Sequence, residues 1–519
     1  MRKPRKRPEP VFKEYNQDQG LLLPPNLEEM VPEIHLVRIV NAIIDTMDIR
    51  AILKQYKGGG TSSYNPKMLL KAILYAYTQR IYSSRRIAKA LRENINFMWL
   101  CGMNRPDFRT INRFRLSKLK GIIDELFYSL VEMLEEMKLI NLENYFLDGT
   151  KIEANANKYT WVWKKSTKRY KENLLEKVKA LLVEIDEENE TEDKRYKEKD
   201  LEEMGEDAEI NSETLKKRVE ELNERLNEEP DNKELKKSVK TIEKDYIPRL
   251  EKYEDQEKTL NERNSYSKTD TDATFMRMKE DHMNNGQLKA GYNVQIGTEN
   301  QFIVGYSIHQ KSTDTTFLIP HLEKLKTHLN KLPENIIADA GYGSEENYEY
   351  IENNELGDFV KYNYFHKEQT KKFKEDKFRV ENLPYDSDKD EYTCPAGKKL
   401  NHIQNKEGVT VNGYKKKLDV YECEDCTECI HRSKCHKSEN NRQIKVNHRL
   451  NTFKDKVREN LYTDKGKNLR RRRGIEVESV FGQIKHNKSF RRFLLRGIEK
   501  VNLEWGLISM AHNLMKIPV

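Results

Sequence analysis

Nowhere in the 519 residues do about twenty apolar residues run together, so the chain offers no candidate membrane span. The basic start, MRKPRKRPEP, has no apolar stretch close behind it, so it does not read as a secretory signal, and residues 1–26 are expected to be a flexible basic arm. A strong excess of one charge sign is also lacking, with 94 Lys and Arg against 86 Asp and Glu and a formal net charge of +8. A polyanionic partner would therefore have to be met by local clusters of cations, not by the field of the whole chain. Cysteine is scarce, six in all, and four of them crowd between 423 and 435. That distribution speaks against a disulfide framework and for a metal cluster in a reducing compartment. What is abundant is charge, at 35% of residues, on a chain long enough for several domains.

Residues 27–135 read as helical. In "SSYNPKMLLKAILYAYTQRIYS", Asn65 is placed as an N-cap with Pro66 at the first helical position. Arg85, Arg86, Lys89 and Arg92 fall in one short helix and Arg109, Arg113 and Arg115 in another. Clustered arginines on short helices suit phosphate contact, and an ordinary solvated face is the competing reading.

Two carboxylates stand at the ends of apolar runs. In "IIADAGYGSEENY", residues 336–348, a buried strand leads into Asp339, a Gly-rich turn and a helix opened by Ser344. In "LENYFLDGTKIEAN", Tyr145, Phe146 and Leu147 form a strand that Asp148 ends beside Gly149. Each acid has a plain alternative: a capping or turn acid for Asp339, and an Asp-Gly hairpin turn for Asp148. Further strands are expected in "QLKAGYNVQIGTENQFIVGYSIHQ", split by a Gly-Thr-Glu-Asn turn, and in "GDFVKY". The resulting order, β-β-β-α-β-α-β, implies an α/β (α+β) domain built on one mixed sheet flanked by helices, over 136–164 and 265–385. Such a topology lets the strands of Asp148 and Asp339 lie side by side.

Residues 165–264 interrupt it with apolar stripes in a Glu- and Lys-rich background, for example Leu174, Val178, Leu181 and Ile185. Heptad-like spacing predicts a helical, coiled-coil-like insertion whose charges are a solvated face. A second insertion, 386–440, holds Cys394, Cys426, Cys429 and Cys435 at spacings that suit a closed structural zinc site. Cys423, His431 and His436 are further candidates there.

The last segment, 441–519, reads as helices. Ile475, Glu478, Phe481, Gly482 and Lys485 share one face at three–four spacing. Arg470, Arg471, Arg472 and Arg473 precede that face, and Lys488, Arg491, Arg492 and Arg496 follow it. An acid on the buried face of a basic helix is costly unless paired or bound to a metal, which makes Glu478 the third carboxylate.

These pieces together resemble the insertion-sequence DDE transposases, whose catalytic domain has the RNase H-like fold. "LLLPPNLEEMVPEIHLVRIV" and "RPDFRTINRFR" are similar to the amino-terminal, DNA-binding domain of one such family. "LDGTKIEANANKYTWVWKK", "IADAGYGSEENY" and "EVESVFGQIKHNKSFRRFLLRG" are similar to its three acid motifs. The resemblance implies a catalytic triad of Asp148, Asp339 and Glu478 holding two Mg²⁺ or Mn²⁺ ions. It implies metal-dependent cleavage at element ends and strand transfer into target DNA. It also implies a homodimer on terminal inverted repeats, and a cytoplasmic, nucleoid-associated bacterial protein. Arg85, Arg86, Arg109, Arg113, Arg472, Arg473, Lys485, Lys488, Arg491 and Arg492 are then the expected DNA contacts. The third motif departs from the family pattern of Tyr, Arg, Glu and Lys at set spacing. Glu478 and Lys485 keep their separation, but the position four before Glu478 is Gly474, and Glu476 competes for the catalytic role. An RNase H-like nuclease without strand transfer and a catalytically silent, transposase-derived DNA-binding protein are the rival readings.

Overall fold

The computed structural model describes residues 26–56, 63–157, 159–193, 210–228, 232–278, 288–410 and 412–518. The expected basic arm, apart from residue 26, lies outside the described residues.

Helices fill the amino-terminal region, as expected. Pro66–Thr78 begins as its sequence predicts: the Asn65 side chain accepts from the main-chain nitrogens of Lys67 and Met68, and Pro66, which has no N–H to satisfy, takes the first position. From Leu69 to Thr78 every residue of this helix is buried, which a surface helix would not tolerate. Its partner is the last helix, Ile498–Leu514, buried continuously from Leu503 to Leu514. The two ends of the chain thus share one hydrophobic core with the sheet.

The six-stranded sheet is mixed. Its central strand, Asn144–Glu153, pairs antiparallel with Leu288–Glu299 on one side and parallel with Asn335–Ala338 on the other. Gly357–Val360 continues the parallel half, while Phe302–His309 and the short Thr274–Arg277 share the far edge of Leu288–Glu299. Helix Leu318–Leu329 packs on the strand Phe302–His309, and helices Glu345–Asn353 and His448–Tyr462 cover Gly357–Val360. The Tyr145 ring passes so close to Gly297 that a Cβ there would lie 1.7 Å from it, so this position must be glycine. Its hydroxyl reaches His321 Nε2 at 2.6 Å.

Two local expectations are corrected. Asp148 does not end its strand; the ladder continues through Glu153, which removes the Asp-Gly hairpin reading. The hairpin turn after Glu299 is Asn300–Gln301, not Gly-Thr-Glu-Asn. Both residues have positive φ (51° and 62°), the twist-matched geometry of a two-residue hairpin loop, so Gly297 stays inside the strand.

The first insertion is helical, comprising Lys164–Asp193, Ser212–Glu228, Lys233–Thr241 and Ile247–Leu260. It has its own core, in which Leu174, Val178 and Ile185 are buried as expected, with Leu182 in the place expected for Leu181. The chain enters and leaves through one small ladder, Trp161–Trp163 against Ser265–Ser267. The cysteine-bearing region is an unforeseen five-stranded antiparallel sheet, dominated by the long hairpin Lys399–Val409 and Lys415–Cys423.

Candidate active site

Strand pairing brings the first two acids together. Leu147 and Ala338 are parallel register partners, and Asp148 and Asp339 are the residues that follow them. At that point the second strand stops, and Asp339 instead caps a tight turn, Ala340–Tyr342, by accepting from Gly341 N at 2.9 Å. Asp148, 5% exposed, accepts from Gly149 N at 2.8 Å. One guanidinium serves both acids: Arg473 Nη2 lies 2.9 Å from Asp148 Oδ2 and 3.6 Å from Asp339 Oδ2.

Arg473 ends the helix Asp464–Arg473, and the next five residues, Gly474–Glu478, form a π-turn. Such a turn takes one residue more than an α-turn, so residues five apart come onto the same side. This accounts for the arginine that stands five, not four, residues before Glu478. A second π-turn, Gln483–Asn487, encloses Lys485.

Glu478 is exposed, and Ile475 beside it is 62% exposed, so the expected buried face is broken at this end although Phe481 and Lys485 further along it are buried. The extra residue rotates the acid outward. The Lys361 amine, pulled below its usual range first by burial and then by Arg473, also feels the carboxylates of Asp339 and Glu478. The buried acid of this turn is Glu476, which accepts from Gln301 N at 2.6 Å and pairs with Arg472 at 2.9 Å. The first bond ties this turn to the hairpin turn, and the second is an i,i+4 pair within the helical segment itself.

Sequence reasoning missed Asp314, Asn293, Gln295 and Tyr342. Asp314 Oδ1 accepts from Asn293 Nδ2 (2.7 Å) and Gln295 Nε2 (3.0 Å), and the Tyr342 hydroxyl donates to Gln295 Oε1. Burial first, then the charges of Asp314, Asp148 and Asp339, push the Tyr342 hydroxyl well above its ordinary range. Asn293 and Gln295 alternate along a strand that is otherwise apolar and buried on that stretch. That alternation was the available signal.

The expected DNA contacts divide. Arg85, Arg86, Arg109 and Arg113 are exposed, with Arg85 stacked on the Phe108 ring at 4.7 Å. Arg115 is buried instead, donating to Tyr77 Oη and Tyr82 O. Lys485 and Lys488 do not face solvent, being 7% and 3% exposed. The Lys488 amine points to Met515 Sδ, and burial holds it down to about 8. Arg491 is exposed, with its guanidinium on Lys485 O and His486. Arg492 is exposed but donates to Ala154 O and Ala156 O, clamping the chain that leaves the first-acid strand.

All six cysteines are free. Cys394, Cys423, Cys426, Cys429 and Cys435 line one small cavity with His431 and His436. Arg442 donates from its guanidinium to Cys435 Sγ at 3.1 Å and from its main-chain N to Cys426 Sγ at 3.4 Å. Burial above all, with neighbouring Cys426 and Cys394, pushes the Cys423 thiol up to about 12. Among the described residues, no three His, Cys, Asp or Glu side chains are grouped closely enough to hold a metal ion, here or at Asp148. Nor is any described helix long and apolar enough to cross a membrane.

Comparison with known proteins yields two family matches. Residues 25–117 match a transposase domain family, DUF772, and residues 393–518 match the transposase DDE domain. The second match spans the cysteine-bearing sheet and Glu478; Asp148 and Asp339 lie outside it. No curated protein and no solved structure matches the chain. With one transposase domain at its amino end and a DDE domain at its carboxyl end, the chain belongs to the DDE transposases of insertion-sequence type.

Proposed function

We propose that this transposase cleaves DNA at the ends of an insertion element and joins the freed 3′-ends to target DNA, using Asp148, Asp339 and Glu478. The observation that carries the reading is the pair of carboxylates that parallel register sets side by side, drawn onto one cationic group. Two hard oxygen ligands already gathered around a positive charge fit Mg²⁺ or Mn²⁺. Asp148 and Asp339 would hold the metal, with Glu478 completing its ligands. Bound there, it would supply the Lewis acidity that activates the attacking oxygen, water first and the 3′-hydroxyl second, and stabilises the leaving oxygen.

The chain's own residues do the rest. Asp148 is held in the antiparallel ladder opposite Ile296, one residue beyond the last parallel pair, Leu147 and Ala338, so the strand backbone that carries its carboxylate is anchored through a two-step reaction. Arg473 neutralises the paired acids in the metal-free chain, and Lys361 adds positive charge beside Asp339 and Glu478. Arg85, Arg86, Arg109, Arg113 and Arg491 present exposed cations for backbone phosphates, fixing register without reading sequence. Two copies of the chain, one at each element end, complete the assembly.

Zinc is the second metal of this reading. The five free thiols around one cavity, two of them accepting hydrogen bonds from Arg442, support a structural site at Cys394, Cys426, Cys429 and Cys435.

The test uses a labelled duplex bearing an element end, with and without a target plasmid. Asp148→Ala and Asp339→Ala should abolish Mg²⁺-dependent cleavage while the end is still bound. Cleavage that survives both substitutions, or chelation, sinks the proposal. Freed 3′-ends that never join the plasmid would leave a nuclease in its place.

A further inference from the structure

Asp314 lies just before helix Leu318–Leu329, far in sequence from any acid motif, yet it touches the surroundings of both strand acids. On the first-acid side, Gly149 follows Asp148 and is the register partner of Gln295. A Cβ on Gly149 would lie 2.3 Å from Gln295 Nε2 and 2.8 Å from Asp314 Oδ1, so the strand backbone is packed directly against this pair. On the second-acid side there are two ties. Thr315, next to Asp314, donates its hydroxyl to Gly341 O at 2.7 Å. Tyr342, in the same turn, donates its hydroxyl to Gln295 Oε1.

The amide of Gln295 is the joint between the two sides, and Asp314 sets its direction. Gln295 Nε2 donates both to Asp314 Oδ1 (3.0 Å) and to Asn293 Oδ1 (2.9 Å), so the amide oxygen must face Tyr342. Gln295 and Tyr342 are both fully buried, out of contact with bulk solvent. Turning the amide over would set its oxygen against a carboxylate oxygen and its NH₂ against a hydroxyl with no other described acceptor. A buried polar network is rigid only when every member is satisfied.

We propose that Asp314 is a positioning residue of the active site. Through Gln295, Asn293 and Tyr342 it fixes the separation and orientation of the Asp148 and Asp339 carboxylates. The inference rests on the reading of those two acids as metal ligands. Asp314 acts as a hydrogen-bond acceptor, so an amide whose oxygen replaces Oδ1 can take its part, whereas a methyl group cannot.

The experiment measures Mn²⁺ binding to the full chain without DNA, by titration calorimetry, and cleavage of an end-bearing duplex at saturating DNA. For Asp314→Ala, we expect Mn²⁺ affinity and kcat to fall about 10- to 100-fold, as for loss of an outer-shell partner, with KM for DNA unchanged. For Asp314→Asn, we expect both to stay within about threefold of the parent. Asp314→Ala behaving like the parent overturns the proposal. So does Asp314→Asn failing as badly as Asp314→Ala, since the carboxylate charge itself would then be needed. A parent chain that binds no Mn²⁺, or whose binding survives Asp148→Ala, would instead overturn the reading of the two acids. The melting temperature of each variant, measured alongside, separates either result from failure to fold.

Discussion

Arg473 donates to Asp148 across 2.9 Å between side chains only 12% and 8% exposed, an ion pair held out of water on the sheet's central strand. A buried pair broken from one side leaves its partner uncompensated, at a cost of about 3–5 kcal/mol. Arg473→Gln should therefore lower the melting temperature of the metal-free chain. Because Mn²⁺ can then supply the missing charge, added Mn²⁺ should raise the melting temperature further in the variant than in the parent. Equal Mn²⁺-induced shifts in both proteins would show that guanidinium and metal do not share the same two acids.

The two glutamates of the π-turn should separate cleanly. Glu476 is buried and holds Gln301 N and Arg472, so Glu476→Ala should cost about 1–3 kcal/mol of stability. Glu478 is exposed, so Glu478→Ala should melt like the parent yet lose metal-dependent cleavage. Thermal melts and cleavage assays on both variants check this. A Glu478→Ala enzyme that still cuts would transfer the third role elsewhere.

This pair shows where sequence reading stopped. The acid at 339 was legible because an apolar run, a Gly-rich turn and a helix start all bear on neighbouring residues. The face of Glu478 was not, because three–four spacing assumes α-helical rotation and the π-turn adds a residue that no periodicity announces. Asp314 stands on the polar stretch ahead of a helix, and its partners Asn293 and Gln295 come from a strand, so only the folded packing of that stretch against the sheet brings them together. The cysteine-bearing sheet was hidden for a different reason. The first strand of its long hairpin, Lys399–Val409, is mostly exposed, so its side chains lack the apolar alternation by which half-buried strands are recognised.

Glu504 gives a pH signature. It is fully buried in helix Ile498–Leu514, and burial raises its carboxyl to about 7. Between the ordinary value of 4.5 and about 7, the folded chain keeps a proton that the unfolded chain has released. Stability from this group is thus complete below 4.5 and is lost as the pH rises through about 7. Glu504→Gln should flatten the fall in melting temperature between pH 5 and 7.5, removing on the order of 3 kcal/mol of pH dependence. Parallel curves for parent and variant would refute the assignment.

Zinc content is checked by elemental analysis, with about one ion per chain expected for a single closed site. Cys426→Ser should lose that ion, and chelation should open the region around 390–440 to proteolysis, since metal binding and local folding are coupled. A metal-free preparation with an intact region would rule the site out.

Salt dependence distinguishes cations that meet phosphate from those that do not. Arg85→Ala and Arg109→Ala should each reduce the log–log slope of duplex binding by roughly 0.9. Lys488→Ala should leave the slope alone and lower the melting temperature, because its amine is buried against Met515. A slope that falls for Lys488→Ala and holds for the arginines would reverse these placements.

The helical insertion departs from and returns to adjacent positions: Trp163 pairs with Ser265, and Lys164 N donates to Asn264 O at 2.9 Å. Everything between those two residues could be removed and replaced by a tight reverse turn without moving either end. The segment is therefore a cassette. Its helices can be shortened or exchanged beyond that ladder without changing where the chain re-enters the sheet, and an engineer could replace them with a fluorescent or affinity module at the same junction.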